Sequence, residues 1–158
     1  MDILTMALIW FSAISAGIMA GVYFTFSVFA MRSFAELGDE AGARAMQVIN
    51  RVILKSAFLP LFFLSTLTCA ALVVLGVLGM AGARPEMAIA GGGVYVLGMF
   101  VVTALGNVPL NNTLDGADPS SEEGKAVWGD YLTRWTRLNH VRTLACTVSM
   151  ALLIAALG

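Results

Sequence analysis

Between Asp2 and Arg32 the chain carries no charged side chain at all. A helix of a soluble protein buries one stripe and gives the rest of its surface to water. A run this long with no charge has no such water face. About twenty apolar residues cross a bilayer, so 3–31 is predicted to span it with tilt or a protruding end. Three further uncharged stretches follow, at 56–83, 87–106 and 143–158. Of the 158 residues 59% are hydrophobic and 12% charged, about half the charge of an ordinary soluble domain. The expected class is all-α: an integral membrane bundle of four transmembrane helices.

The expected organisation is a single membrane domain over 1–158. Helix 1 covers about 3–31 and helix 2 about 40–81. Helix 3 covers about 87–106, followed by a loop over 107–120. An amphipathic helix leading into helix 4 then occupies about 121–157. Helix 2 begins after the Gly38-Asp39 break and extends well below the membrane, with Pro60 as a kink or a first-turn residue. The fourth stretch is several residues short of a span. It must draw in Leu138, Asn139, His140, Val141 and Arg142, so these polar groups belong to a spanning helix, where they usually face the bundle interior. Asp2 stands where a cleavable signal would have basic residues, so the first stretch is expected to be retained.

Eight of the nine cations, including Arg32, Arg44, Lys125, Arg134 and Arg137, lie between spans 1 and 2 or spans 3 and 4; only Arg84 lies opposite. The positive-inside rule therefore predicts a multi-pass protein of the plasma (inner) membrane, with both long connections cytoplasmic and the termini outside. The net charge of −1 offers nothing to nucleic acid. Cys69 and Cys146 have neither CxxC spacing nor a flanking histidine and are expected to be small buried hydrophobes. Gly17 and Gly21, the glycines at 91–93 and Gly98 allow close helix approach. They serve packing inside the bundle or a homodimer face.

Two helical faces carry the chemistry. From Trp128 onward, Trp128, Trp135, Asn139, Arg142 and Cys146 fall on one side, with Tyr131 beside them. His140, the only histidine, points about a third of a turn away. This is either an interfacial aromatic belt with a snorkelling arginine or a pocket wall. On the second helix Arg44, Arg51 and Lys55 fall on one line that continues into Phe58 and Phe62. They form a solvated face, or Arg51 and Lys55 turn inward at the membrane boundary. No acidic residue lies inside an apolar stretch to neutralise them, and cations without carboxylates suit an anion, a phenolate or a lipid phosphate. Asn107, Asn111 and Asn112, around Pro109, add amide groups at the same level, for capping or for a ligand. There is no carboxylate pair for a di-iron centre and no second histidine for bis-histidine haem. Oxidation chemistry here needs no cofactor, or a cofactor held without such ligands.

"GVYFTFSVFAMRSF", "AMQVINRVIL", "NVPLNN" and "W..YLTRWTRLNHVRTL" resemble, in order and over nearly the whole chain, the signature blocks of the anthrone oxygenase family of small four-helix membrane proteins. The resemblance implies cofactor-independent oxidation of an anthrone-type or other phenolic polycyclic substrate by O2. It points to Asn50, Arg51, Asn107, Pro109, Asn111, Trp128, Trp135, Asn139, His140 and Arg142. In that scheme His140 is the general base, and Arg142 and Arg51 stabilise the enolate and developing superoxide. Trp128 and Trp135 stack on the ring system, with Tyr131 on their face and Lys55 at the mouth. The asparagines bind phenol and carbonyl oxygens. The alternative expectation is non-catalytic: binding of a quinone, lipid or other amphiphile, or docking beside a larger membrane complex.

Overall fold

The computed structural model describes residues 2–158 and contains five helices. Helix α1 spans Ile3–Glu36 and includes a π-helical segment at Phe26–Ala30. Helix α2 spans Asp39–Ile53, α3 Phe58–Val77, α4 Pro85–Asp115 and α5 Glu122–Ala155. All but α2 are long and apolar enough to cross a membrane. The Asp2 carboxylate accepts from the Thr5 amide at the start of α1 and the Ser121 hydroxyl from Gly124 at the start of α5, so both helices carry side-chain N-caps.

The four long helices run up and down, each packed on two neighbours in the order α1, α5, α4, α3 and back to α1. Their 34-, 20-, 31- and 34-residue lengths are unequal. At 1.5 Å per residue α3 is about 30 Å long, just a hydrocarbon thickness, whereas α1, α4 and α5 exceed it. The surplus of all three projects from one end, where α2 packs against them.

Two cores result. In the spans, Ile9, Met19, Leu72, Tyr95, Met99 and Leu153 are buried among small residues. Hydroxyl pairs clasp this region: Ser12 donates to Thr68 at 2.9 Å, Ser65 and Tyr95 share a 2.7 Å bond, and Ser149 donates to the Gly91 carbonyl at 2.8 Å. The glycines of α4 other than Gly93, which faces open space, pack inside the bundle: a Cβ at Gly92 would collide with the Cys69 carbonyl, and one at Gly98 with Ala145. Both cysteines are free and fully buried. The outward faces present Trp10, Ile14, Phe24, Leu67, Leu97 and Leu144, as a lipid-facing surface requires. The second core, at the projecting end, joins Met31, Met46, Leu114, Trp128, Tyr131 and Trp135.

Two boundaries differ from expectation. The single helix expected over 40–81 is broken at 54–57 into α2 and α3. The Pro60 ring would clash with the carbonyl of a helical residue four positions earlier, which favours a break there. Ser56 completes the break, its hydroxyl donating to the Ile53 carbonyl at 2.8 Å and accepting from the Phe58 amide at 3.2 Å. Conversely, the loop expected from 107 is helical as far as Asp115. Pro109 is tolerated because the π-helical turns at Val96–Val101 and Thr103–Asn107 reset the hydrogen-bond ladder ahead of it. Val108–Asp115 thus starts afresh with proline in its first turn, where no amide hydrogen is needed.

Candidate functional site

One face of α5 organises the site. Trp128, Tyr131 and Trp135, three and four residues apart, stack as a ladder with ring centroids 5.8 and 5.7 Å apart and planes within 20°. Asn111 of α4 fastens it, its Oδ1 accepting from Tyr131 Oη and Trp135 Nε1, both at 2.8 Å. Asn50 of α2 donates to Tyr131 Oη at 3.4 Å, and Asn107 to the Trp135 carbonyl at 3.3 Å. The last rung, Trp135, meets Phe26 edge-on at 5.6 Å.

One turn further, Asn139 is fully buried. Its amide donates to the Tyr23 carbonyl and to Ser27 Oγ, both at 2.7 Å. The π-helical segment opening at Phe26 disturbs the regular ladder there, so a backbone carbonyl of α1 is available to a side chain. Asn139 Oδ1 in turn accepts from Arg142 at 2.8 Å.

Arg142 is only 5% exposed. Its other terminal nitrogen reaches Thr103 Oγ1 at 3.4 Å. Its guanidinium lies 4.3 Å from the Tyr23 ring centre and 5.0 Å from that of Trp135. Among the described residues it has no carboxylate partner, and its Nε makes no hydrogen bond. A buried guanidinium satisfied only by neutral groups keeps most of its positive field.

This charge forms part of the wall of a cavity of about 250 Å³, just under the usual small-molecule range of about 300–1,000 Å³. Arg142, Tyr23 and Trp135 line it together with Asn50 and Asn111, and Phe26, Phe58 and Phe62 supply aromatic surface. Leu54, Leu59, Phe63 and Val108 also line it; Leu54, Phe63 and Val108 are among the exposed hydrophobics, so the wall is apolar where it meets the surface.

Of the residues singled out in the sequence, Asn50, Asn111, Trp135 and Arg142 meet at this cavity. Trp128, Tyr131, Asn107 and Asn139 are buried behind it and hold its wall in place. Three cationic or titratable residues lie elsewhere. Arg51 does not turn inward: it is half-exposed and bonds Asp115 at 2.8 Å. The lack of a neutralising acid expected from the apolar stretches does not hold for it, because the helical extension of α4 carries Asp115 to α2. Lys55 is exposed in the turn that breaks the second helix. His140 is exposed and absent from the cavity wall, since its helical angle turns it away from Trp135 and Arg142. Tyr23, Phe26 and Thr103 were not singled out as site residues. Each sits in a stretch whose uniform apolar character hides which face looks inward. Among the described residues no three His, Cys, Asp or Glu side chains gather to hold a metal.

The fold and site together define a multi-pass helical-bundle membrane protein with a cationic, aromatic-walled cavity near one end. The family model of anthrone oxygenase matches residues 51–152, and the chain belongs to that family. The matched segment includes Phe58, Thr103, Asn111, Trp135 and Arg142; Tyr23, Phe26 and Asn50 precede it. No curated protein and no solved structure matches the chain.

Proposed function

We propose that the protein is a membrane-embedded oxygenase that converts an anthrone-type or related phenolic polycyclic substrate to a quinone with O2, using the cavity beside Arg142. The observation that carries this reading is a buried guanidinium with no carboxylate partner at an otherwise apolar, aromatic wall. Such a site favours a flat aromatic molecule that becomes negatively charged during reaction.

An anthrone carries a CH2 group across the central ring from its carbonyl. Loss of one CH2 proton gives an enolate with its charge largely on the carbonyl oxygen. The enolate gives one electron to O2, and the resulting carbon radical and superoxide combine to a peroxide. Loss of the second proton and of hydroxide leaves a second carbonyl. In sum, CH2 and O2 become C=O and H2O. Arg142 lowers the energy of the enolate and of superoxide by a fixed positive field in a water-poor site. Trp135 and Phe26 bound the ring system, and Asn50 and Asn111 present amides to its oxygens. The wall holds neither carboxylate nor imidazole. The acceptor for that proton is therefore a hydroxide or water admitted with the substrate, and His140, exposed and outside the wall, does not touch the reacting carbon.

The Lys and Arg distribution supports placing the end that carries α2 in the cytoplasm of an inner membrane. The apolar mouth supports delivery of substrate from the bilayer. The wall without a base also suits a second reading, in which a quinone or similar amphiphile is bound and not turned over.

Oxygen uptake by the purified chain with an anthrone, compared with the Arg142→Met variant, tests the proposal. Anthrone-dependent uptake that disappears in the variant supports it. Uptake no faster than in protein-free detergent defeats the catalytic reading, and retention of a quinone under those conditions favours the binding one.

A further inference from the structure

Four side chains on α2, α4 and α5 form a hydrogen-bond chain whose direction is fixed from one end. The Trp135 indole N–H can only donate, so the Asn111 atom it meets at 2.8 Å is the amide oxygen, Oδ1. That oxygen can only accept, so the Tyr131 hydroxyl, also at 2.8 Å, places its single proton there. The Tyr131 oxygen is left to accept, and Asn50 turns its Nδ2 toward it at 3.4 Å. Two ends of the chain remain: Asn111 Nδ2, a donor, and Asn50 Oδ1, an acceptor. Neither has a hydrogen bond among the described residues, and neither is one of the sealed polar atoms. Asn50 and Asn111 line the cavity, whereas Tyr131 is buried behind it.

We propose that Asn50 and Asn111 are specificity-determining residues of opposite character: Asn111 Nδ2 donates to a ring carbonyl, and Asn50 Oδ1 accepts from a hydroxyl of the same ligand. Tyr131 is the positioning residue that keeps Asn50 in this orientation without touching the ligand. The inference rests on the aromatic-ligand reading above and narrows the substrate class. A hydroxyl beside a ring carbonyl is already bonded to that carbonyl and has no proton to offer. The ligand that fits therefore carries a hydroxyl remote from its carbonyl. An asparagine free to rotate would serve an O–H or an ether oxygen alike. One held as an acceptor rejects the ether, because lone pairs then face each other.

The probes are 1-hydroxy-, 2-hydroxy- and 2-methoxy-9,10-anthraquinone, titrated into the detergent-purified full chain and followed by quenching of tryptophan fluorescence. Slightly acidic buffer keeps the phenols protonated. In the natural sequence the 2-hydroxy compound should bind about 10-fold more tightly than either of the others. Asn50→Leu removes the acceptor, and Tyr131→Phe frees Asn50 to turn its Nδ2 to the methoxy oxygen. Each should bring the hydroxy-to-methoxy preference below about 2-fold. The preference is a ratio within one variant, so a loss of folded protein does not alter it. A natural sequence that binds the three compounds equally, or a preference that survives Asn50→Leu, overturns the role of Asn50 and leaves the cavity reading intact. A preference lost in Asn50→Leu but kept in Tyr131→Phe overturns the positioning role of Tyr131. Failure of the natural sequence to bind any of the three overturns the cavity reading and this inference with it. The expected preferences alongside absent oxygen uptake sustain the inference and defeat only the catalytic proposal.

Discussion

The two cores differ in how fully their buried polar groups are paired. In the span core, Ser12 finds Thr68, Ser65 finds Tyr95 and Ser149 finds the Gly91 carbonyl. Among the described residues, the buried side-chain atoms without a hydrogen bond are Tyr23 Oη, at the limit of the span core, and Asn107 Oδ1, Trp128 Nε1, Thr136 Oγ1 and Arg142 Nε toward the other end. In hydrocarbon an unmet polar group has no water to fall back on, so a region built only to hold helices together satisfies its hydroxyls. One chain thus contains a stabilising half, whose hydroxyls are mostly paired, and a half that carries the cavity.

The sharpest way to break this contrast is to remove the cation. Arg142→Met should cut anthrone-dependent oxygen uptake by about 100-fold or more. It should leave the unfolding temperature unchanged or higher, because a buried charge without a counter-ion is replaced by an apolar chain. A large loss of stability with residual turnover would show that Arg142 belongs to the stabilising half. Asn139→Ala comes next. It strips two bonds from α1 and one from Arg142, and should destabilise by about 2–4 kcal/mol in a denaturation series, with activity falling in parallel. Tyr95→Phe probes the span core: about 1 kcal/mol of stability should be lost, since Ser65 keeps its bond to the Phe62 carbonyl, with turnover unchanged.

The smallest effects are expected outside both cores. Arg51→Ala should cost less than about 1 kcal/mol, diminishing with salt, because its ion pair with Asp115 is half-exposed. His140→Ala should change stability by less than about 0.5 kcal/mol and leave oxygen uptake unaltered. Loss of turnover in the His140 variant at intact fold would return the proton-accepting role to that side chain and refute the separation drawn here.

Much of this molecule was legible along the chain. The absence of charge between Asp2 and Arg32 and in the three later stretches marks four spans. The spacing of Trp128, Trp135, Asn139 and Arg142 puts them on one side of a helix. That side is the buried one, because Arg134 and Arg137 already serve the outer face. The same periodicity turns His140 away. The break at 54–57 was harder to place, because Pro60 is compatible with a kink, a first turn or an interruption. Pro109 misled in the other direction, since π-helical turns that absorb a proline leave no mark on hydropathy.

What the sequence alone determined is the transfer of four segments into lipid and the faces of the last helix. Both depend on local quantities, apolar length and angular spacing. That Arg51 would not join Arg142 indoors was decided only by tertiary structure. Arg51 and Arg142 are equally basic, but α4 delivers Asp115 to the first, while Tyr23 of α1, Thr103 of α4 and Trp135 and Asn139 of its own helix α5 surround the second. The inward position of Tyr23 was decided in the same way. Nothing within α1 distinguishes its face from the lipid-facing ones until α5 packs against it, because the environment of a buried polar group is set by neighbours distant in sequence.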